Sequence, residues 1–153
     1  MIVYEQGDIL ASKELVIAHG CNCRGGFGSG FAKAVADEFP QVKEGYLHRH
    51  NTRGWKLGEV QLINVGDGSG RVFANCATQD RYGRPDEGPY VSYPAIRKVV
   101  RELVKSFPEG FAMPKIGAGL AGGNWDIIEQ IINEETPNTE VRVYVIPKVT
   151  IKS

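Results

Sequence analysis

Apolar positions along this chain fall into two alternating kinds of segment: short β-branched runs, and longer stretches with apolar residues three and four apart. Ile2–Gln6 reads as an opening strand. Leu15-Val16-Ile17-Ala18 reads as a strand buried on both faces, because its apolar run is continuous rather than alternating. A glycine-rich stretch, Gly25 to Gly30, leads into a predicted helix with Phe31, Val35 and Phe39 on one face, stopped by Pro40. A second short helical piece follows through Tyr46 and His50. Glu59–Val65 and Arg71–Cys76 flank Gly66-Asp67-Gly68-Ser69-Gly70, the signature of a hairpin between two strands. Ala77 to Tyr90, with two Pro and two Gly, is a loop long enough to carry function.

The most regular helical pattern comes next. Ile96, Val99, Val100, Leu103, Val104 and Phe107 share one face, and Arg97, Lys98, Arg101, Glu102 and Lys105 the other. Phe111-Ala112-Met113 is a brief strand, and Pro114–Gly123 a second glycine-rich loop. Asn124 is placed to cap a helix that buries Trp125, Ile128, Ile131 and Ile132. Val141–Ile146 is the last strand, ended by Pro147. Strands alternating with amphipathic helices predict a three-layer α/β/α sandwich around a mixed, mainly parallel sheet.

Composition narrows the class. The 153 residues fit one domain, Met1 to Ser153, and 42% hydrophobic with 24% charged residues is globular rather than disordered. Eighteen Lys+Arg balance eighteen Asp+Glu, so a partner held by neutralising a phosphate backbone is not expected. Arg49, Arg53 and Lys56 beside Trp55 read as a solvated helix face rather than a nucleic-acid site. Three cysteines, two of them only two residues apart, suggest a reducing compartment. The Met1–Asp8 segment has no basic region followed by an apolar run, and no apolar run approaches the ~18 residues of a membrane span, so a cytoplasmic location without membrane contact is expected. His19, Cys21, Cys23 and Cys76 are a conceivable metal set, but Cys-x-Cys is tighter than usual ligand spacing and no metal or other cofactor is expected.

In a parallel sheet, ligands bind outside the carboxyl ends of the strands, and both glycine loops sit there, each before a helix. Glycines let backbone N–H groups approach an anion, and a helix start adds its positive end. Two such loops suit a diphosphate. Neither is a standard phosphate motif: no Gly-Lys-Ser/Thr is present, and reading GxGxxG from Gly26 puts Phe31 where the third glycine belongs.

Gly7-Asp8-Ile9, Ala18-His19-Gly20-Cys21-Asn22-Cys23, the Gly26–Ala32 loop and Met113-Pro114-Lys115-Ile116-Gly117-Ala118-Gly119-Leu120 with Trp125 stand in one order along the chain. In these motifs, spanning about Met1 to Ile146, the sequence resembles a macrodomain. It is most similar to the yeast and phage type of ADP-ribose 1″-phosphate phosphatase and to the related glutamate-ADP-ribose hydrolases. The resemblance implies ADP-ribose in a cleft at the strand ends. Asp8 would accept from the adenine amino group beside the Ile9 amide, with a helix- or turn-capping role after Gly7 as the alternative. Asn22 would face the distal ribose, or simply hold a turn. Gly26, Gly28, Ser29, Gly30 and Phe31 would wrap the diphosphate and distal ribose from one side, and Gly117, Ala118, Gly119 and Leu120 from the other. Tyr144 and Ile146 would border the adenine, although a buried aromatic in a terminal strand is the commoner explanation for Tyr144.

His19 is the titratable group expected to carry chemistry, orienting water or protonating a leaving oxygen near neutral pH, with Asp80 or Asp126 as its partner. The hydrolases pair a Lys after the fourth strand with an Asp in the second glycine loop. Here those regions read Ala77-Thr78-Gln79-Asp80-Arg81 and Leu120-Ala121-Gly122, with neither, so a lysyl intermediate is not expected. Three functions remain open at this point. One is hydrolysis of ADP-ribose 1″-phosphate to ADP-ribose and phosphate. Another is ADP-ribose binding without turnover, and the third is removal of ADP-ribose from modified macromolecules.

Overall fold

The computed structural model describes residues 1–119 and 121–146. Six strands form one sheet: β1 (Ile2–Gln6), β2 (Val16–Cys21), β3 (Val60–Asn64), β4 (Val72–Ala77), β5 (Gly110–Met113) and β6 (Glu140–Val145). Their spatial order is β1-β6-β5-β2-β4-β3. Every neighbouring pair is parallel except β3 with β4, the hairpin that the glycine-rich turn closes. Gly66, Gly68 and Gly70 all adopt positive φ in that turn, which is why it needs three glycines.

Four helices cover the sheet: α1 (Gly30–Glu38), α2 (Pro40–Thr52), α3 (Tyr93–Ser106) and α4 (Trp125–Glu135). Period-two alternation along the inner strands sorts their side chains into two cores. Ile17, Cys21, Phe73, Ala77 and Ala112 pack with Val35 of α1 and Val42 and Tyr46 of α2. Ala18, Ala74, Cys76, Phe111 and Met113 pack with Ile96, Val99, Val100 and Leu103 of α3 and Ile128, Ile131 and Ile132 of α4. β2 and β4 are therefore covered on both faces, as the continuous apolar run Val16-Ile17-Ala18 of β2 requires. The three-layer α/β/α arrangement is the one expected. Among the described residues no helix is long and apolar enough to cross a membrane.

Three expectations shift. The second strand starts one residue later than Leu15, which is exposed, and continues through His19, Gly20 and Cys21 because pairing with β4 persists to Cys21 opposite Ala77. Phe39 is not a mid-face residue of one helix. It is the junction where α1 ends and Pro40 starts α2 directly. The short helical piece is thus a 13-residue helix, longer than α1. Trp125 and Val104 are only partly buried against the α3/α4 core.

Helix ends follow their sequences. Ser92 accepts from the Ala95 amide to cap α3, and Asn124 accepts from the Asp126 amide to cap α4. Arg97 and Arg101 of α3 pair with Glu135 of α4 at 2.7 and 2.8 Å, aligning the two helices.

Phe73 is fully buried, with the Phe39 ring centroid 4.9 Å away. Phe73→Ala should cost about 3–5 kcal/mol of folding stability, read from urea denaturation, because the rigid sheet and α2 cannot close over the void. A loss under 1 kcal/mol would mean that this core is not packed as described.

Candidate functional site

The carboxyl ends of β2, β4 and β5 open into one cleft of about 700 Å³. The end of β2 supplies His19 to Asn22. The first glycine loop supplies Gly26 to Ala32, the second Gly117, Gly119 and Ala121, and the loop after β4 Thr78, Gln79, Tyr82 and Tyr90. Among the described residues no carboxylate lines it, and its one cation is Lys115, whose Nζ lies 5.8 Å from the Trp125 ring centroid.

Asn22 builds the first loop. Its Oδ1 accepts from the amides of Arg24 (2.9 Å) and Gly26 (3.1 Å), and its Nδ2 donates to the Gly26 carbonyl at 2.7 Å. The buried Tyr46 hydroxyl of α2 donates to Asn22 and accepts from the Gly25 amide at 3.1 Å. The Cys23 amide bonds the Asp80 carbonyl. Amides 23 to 26 are therefore all engaged, by Asn22, Tyr46 and the Asp80 carbonyl. Those of Phe27, Gly28, Ser29, Gly30, Phe31 and Ala32 meet no acceptor among the described residues, and Ser29, at the cap position of α1, makes no side-chain cap. The result is a run of free N–H groups at the positive end of α1, lining the cleft.

The second loop is less open than its glycines suggest. The Ala118 amide turns inward to the Lys115 carbonyl, and the Gly122 and Gly123 amides to those of Gly119 and Gly117. With Asn124 capping α4, this loop does not offer a helix N-terminus. It presents the amides of Gly117 and Gly119 instead, so the two loops are not equivalent nests and the Ala118 amide is not among the free donors. Leu120 lies outside the described residues. A Cβ on Gly117 would stand 2.8 Å from Val91 Cγ2, which is why the backbone there must be glycine, at φ +77°. A Cβ on Gly28 or Gly119 would meet nothing within 4 Å, only the open cleft.

His19 is 1% exposed and packs edge-on against Phe27 and Phe31 at 5.5 and 5.8 Å between ring centroids. Its Nε2 lies 2.5 Å from Asn75 Oδ1, so its partner is Asn75 and neither Asp80 nor Asp126. Desolvation holds the imidazole down at about 4, against a hydrogen bond to Asn75 Oδ1 that raises it. It is neutral at pH 7, which removes the expected role of protonating a leaving oxygen and leaves that of accepting a hydrogen bond. Its Nδ1 is buried without a partner, as is the Oγ1 of fully buried Thr78. Such an orphan costs roughly 1–3 kcal/mol unless something occupies it. Asp80 is exposed and paired with Arg24 at 2.9 Å, outside the cleft. Burial pushes the thiols of Cys21 and Cys76 up, so neither is a thiolate nucleophile. Among the described residues no three His, Cys, Asp or Glu side chains are grouped to hold a metal.

The residues expected around the adenine are not gathered in this cavity. Asp8 is exposed just after β1, and its Oδ1 accepts from the Leu10 amide as a turn cap, while Ile9 is buried. The Gly7 amide bonds Val145, so Asp8 and exposed Ile146 stand together at the same strand-end edge. Tyr144 is turned away. Its hydroxyl donates to Glu14, and it lines a separate hollow of about 780 Å³ with Arg142 and Glu14.

The sequence reading missed Thr78, Phe27, Tyr82 and Tyr90 in the cleft wall, and Asn75 and Tyr46 behind it. The long loop after β4 was the only pointer to Thr78 and the two tyrosines. Strand register, which brings Asn75 to His19, had none.

No model of a protein family matches the chain. It is 32% identical over 92% of its length to an uncharacterized 17.5 kDa protein of Enterobacteria phage T4, covering 94% of that protein. It is 30% identical to the ADP-ribose 1″-phosphate phosphatase of Meyerozyma guilliermondii, over 94% of this chain and 97% of that one. Among solved structures, a macrodomain protein from Streptomyces coelicolor superposes with a TM-score of 0.77 at 30% identity, over 95% of this chain and 99% of that one.

One consequence of the buried imidazole concerns stability. The folded value near 4 lies below the ordinary 6.5, so the unfolded state binds the extra proton between them. Stability is then fully present above pH 6.5 and falls as pH drops towards 4, by on the order of 3 kcal/mol. Urea midpoints at pH 7 and pH 5 should differ in the wild type and differ clearly less in His19→Gln. Equal pH dependence in the two proteins would show that His19 is not buried neutral.

Proposed function

The chain belongs to the macrodomain family, and on that premise we propose that it binds ADP-ribose in the strand-end cleft and hydrolyses ADP-ribose 1″-phosphate to ADP-ribose and phosphate. The observation that carries this is the run of free amides from Phe27 to Ala32, at the open end of α1, in the same cavity as the Gly117 and Gly119 amides. Backbone donors on two walls of a cleft that holds no carboxylate fit a pyrophosphate bridging them. Asp8, whose second carboxylate oxygen is not used by the turn, and Ile146 mark the direction in which an adenine would extend along the strand ends.

With the diphosphate so held, the distal ribose and its phosphate lie towards β2 and β4, where His19 and Thr78 are. A water oriented by the His19 Nδ1 lone pair attacks phosphorus, and the bond from phosphorus to the ribosyl oxygen breaks. The water's hydroxyl stays on phosphate and its proton ends on the departing oxygen. Phosphoryl transfer through a loose transition state asks chiefly for positioning and for neutralising the equatorial oxygens. Amides supply both without a catalytic acid. Thr78 Oγ1, buried and unpartnered, gives the bound ligand one further donor or acceptor.

Binding is tested by calorimetry with ADP-ribose. Gly28→Glu and Gly119→Glu point a carboxylate into open cleft, so both should fold as the wild type and lose detectable binding. Retained binding in both would put the ligand elsewhere. Turnover is tested by phosphate release from ADP-ribose 1″-phosphate, with kcat in His19→Ala reduced about 100-fold or more. No release by the wild type refutes the phosphatase reading and leaves a binding module. Full activity of His19→Ala refutes only the role of His19.

A further inference from the structure

Strand register lays three polar side chains in one row beneath α2. His19 of β2 stands opposite Asn75 of β4, and Asn75 opposite Gln61 of β3. The row is tied at its far end to main-chain carbonyls, whose role as acceptors is not in question. Gln61 Nε2 donates to the Gly45 carbonyl at 2.9 Å, so Gln61 Oε1 must face Asn75. Asn75 Nδ2 donates to that oxygen at 3.1 Å and to the Val42 carbonyl at 3.3 Å. Both contacts demand the amide nitrogen on that side. The Asn75 oxygen is thereby left for His19, 2.5 Å from Nε2. An oxygen that only accepts requires Nε2 to carry the ring's proton.

We propose that Asn75, oriented by Gln61 and the α2 carbonyls, is a positioning residue that locks His19 in the Nε2–H tautomer and so leaves Nδ1 as the bare acceptor available to the substrate's water. The proposal rests on the phosphatase reading of His19 for its catalytic consequence and on geometry alone for the tautomer. A histidine in the other tautomer would present an N–H at Nδ1 and could not accept a hydrogen bond from water. Apart from Asn75, the polar group at the ring is the Cys21 thiol of β2, 4.0 Å from Nε2, while the first loop and α1 bring only Phe27 and Phe31. Among the described residues no charged group faces the imidazole to set the tautomer in Asn75's place.

Ring-nitrogen spectra of ¹⁵N-labelled protein at pH 7, with the His19 signals assigned by their loss in His19→Gln, read the tautomer without any assay of turnover. The wild type should show a protonated Nε2 and a bare Nδ1. In Asn75→Leu the two forms should mix, kcat for phosphate release should fall about 100-fold, and KM should stay within about threefold. Asn75→Asp keeps an acceptor but adds negative charge. It should move the acid limb of the kcat profile up by about one pH unit or more, because His19 now protonates more readily. A bare Nε2 in the wild type overturns the proposal, as does an Asn75→Leu protein that keeps both the tautomer and kcat. Should Asn75→Leu not fold, Gln61→Leu frees the Asn75 amide to turn, and an unmixed tautomer with full kcat there is equally fatal. A wild type that releases no phosphate ends the phosphatase reading, while the spectra still decide the tautomer.

Discussion

The first turn of α1 has no cap, and most of the site follows from how the chain tolerates that. A helix start without a capping side chain gives up about 1 kcal/mol and leaves several amides seeking acceptors. α3 and α4 solve the problem locally with Ser92 and Asn124. Ahead of α1 the only capping candidate, Ser29, makes no such bond. Asn22, Tyr46 and the Asp80 carbonyl instead use up the four amides before this stretch and hold the loop rigid while the next six stay bare. A loop that could collapse would satisfy its own donors. One pinned by the Asn22 side chain on one side and by helix α2 on the other keeps them directed into the cleft, which is the preorganisation an anion site needs.

The buried orphans fit the same logic. Buried polar atoms in folded proteins are nearly always paired. Here His19 Nδ1 and Thr78 Oγ1 belong to residues of the cleft wall and lie on opposite faces of the sheet, since His19 points towards α2 and Thr78 stands over Gly20 on the other side. A Cβ at Gly20 would lie 2.6 Å from Thr78 Oγ1, so the glycine preserves the room in which that hydroxyl sits. The cleft wall thus draws on side chains from both faces of the sheet.

Much of this was legible in the sequence because it is written in local chemistry. Continuous β-branched runs mark buried parallel strands, and Asn124 before an apolar period marks a cap. Two glycine clusters after strands mark backbone that must approach something. What was not legible depends on pairing across the sheet. Nothing near Asn75 says that it will stand beside His19, because register is set by the whole of β4 against β2. Asp80 looked like a partner for His19 through its place in a suspicious loop, yet the exposed Arg24 satisfies it outside the cleft. Tyr144 looked like an adenine neighbour through its place at a strand end. Period-two alternation instead turns it to the face where Glu14 and Arg142 are. The second glycine loop misled in a subtler way, since three of its amides are consumed in making its own tight turn.

The burial of His19 links the fold to the chemistry through charge. Desolvation is the larger influence on this ring, and it keeps the imidazole neutral at pH 7. An incoming phosphate dianion changes that balance, because a negative charge nearby favours the protonated ring and raises its proton affinity. On the proposed reading, the group that cannot act as an acid beforehand thereby becomes a better proton acceptor once the substrate is in place. The Asn75 bond serves both stages, since its oxygen accepts from Nε2–H whether or not Nδ1 has gained a proton. The same contact that selects the neutral tautomer also stabilises the imidazolium that would form from it.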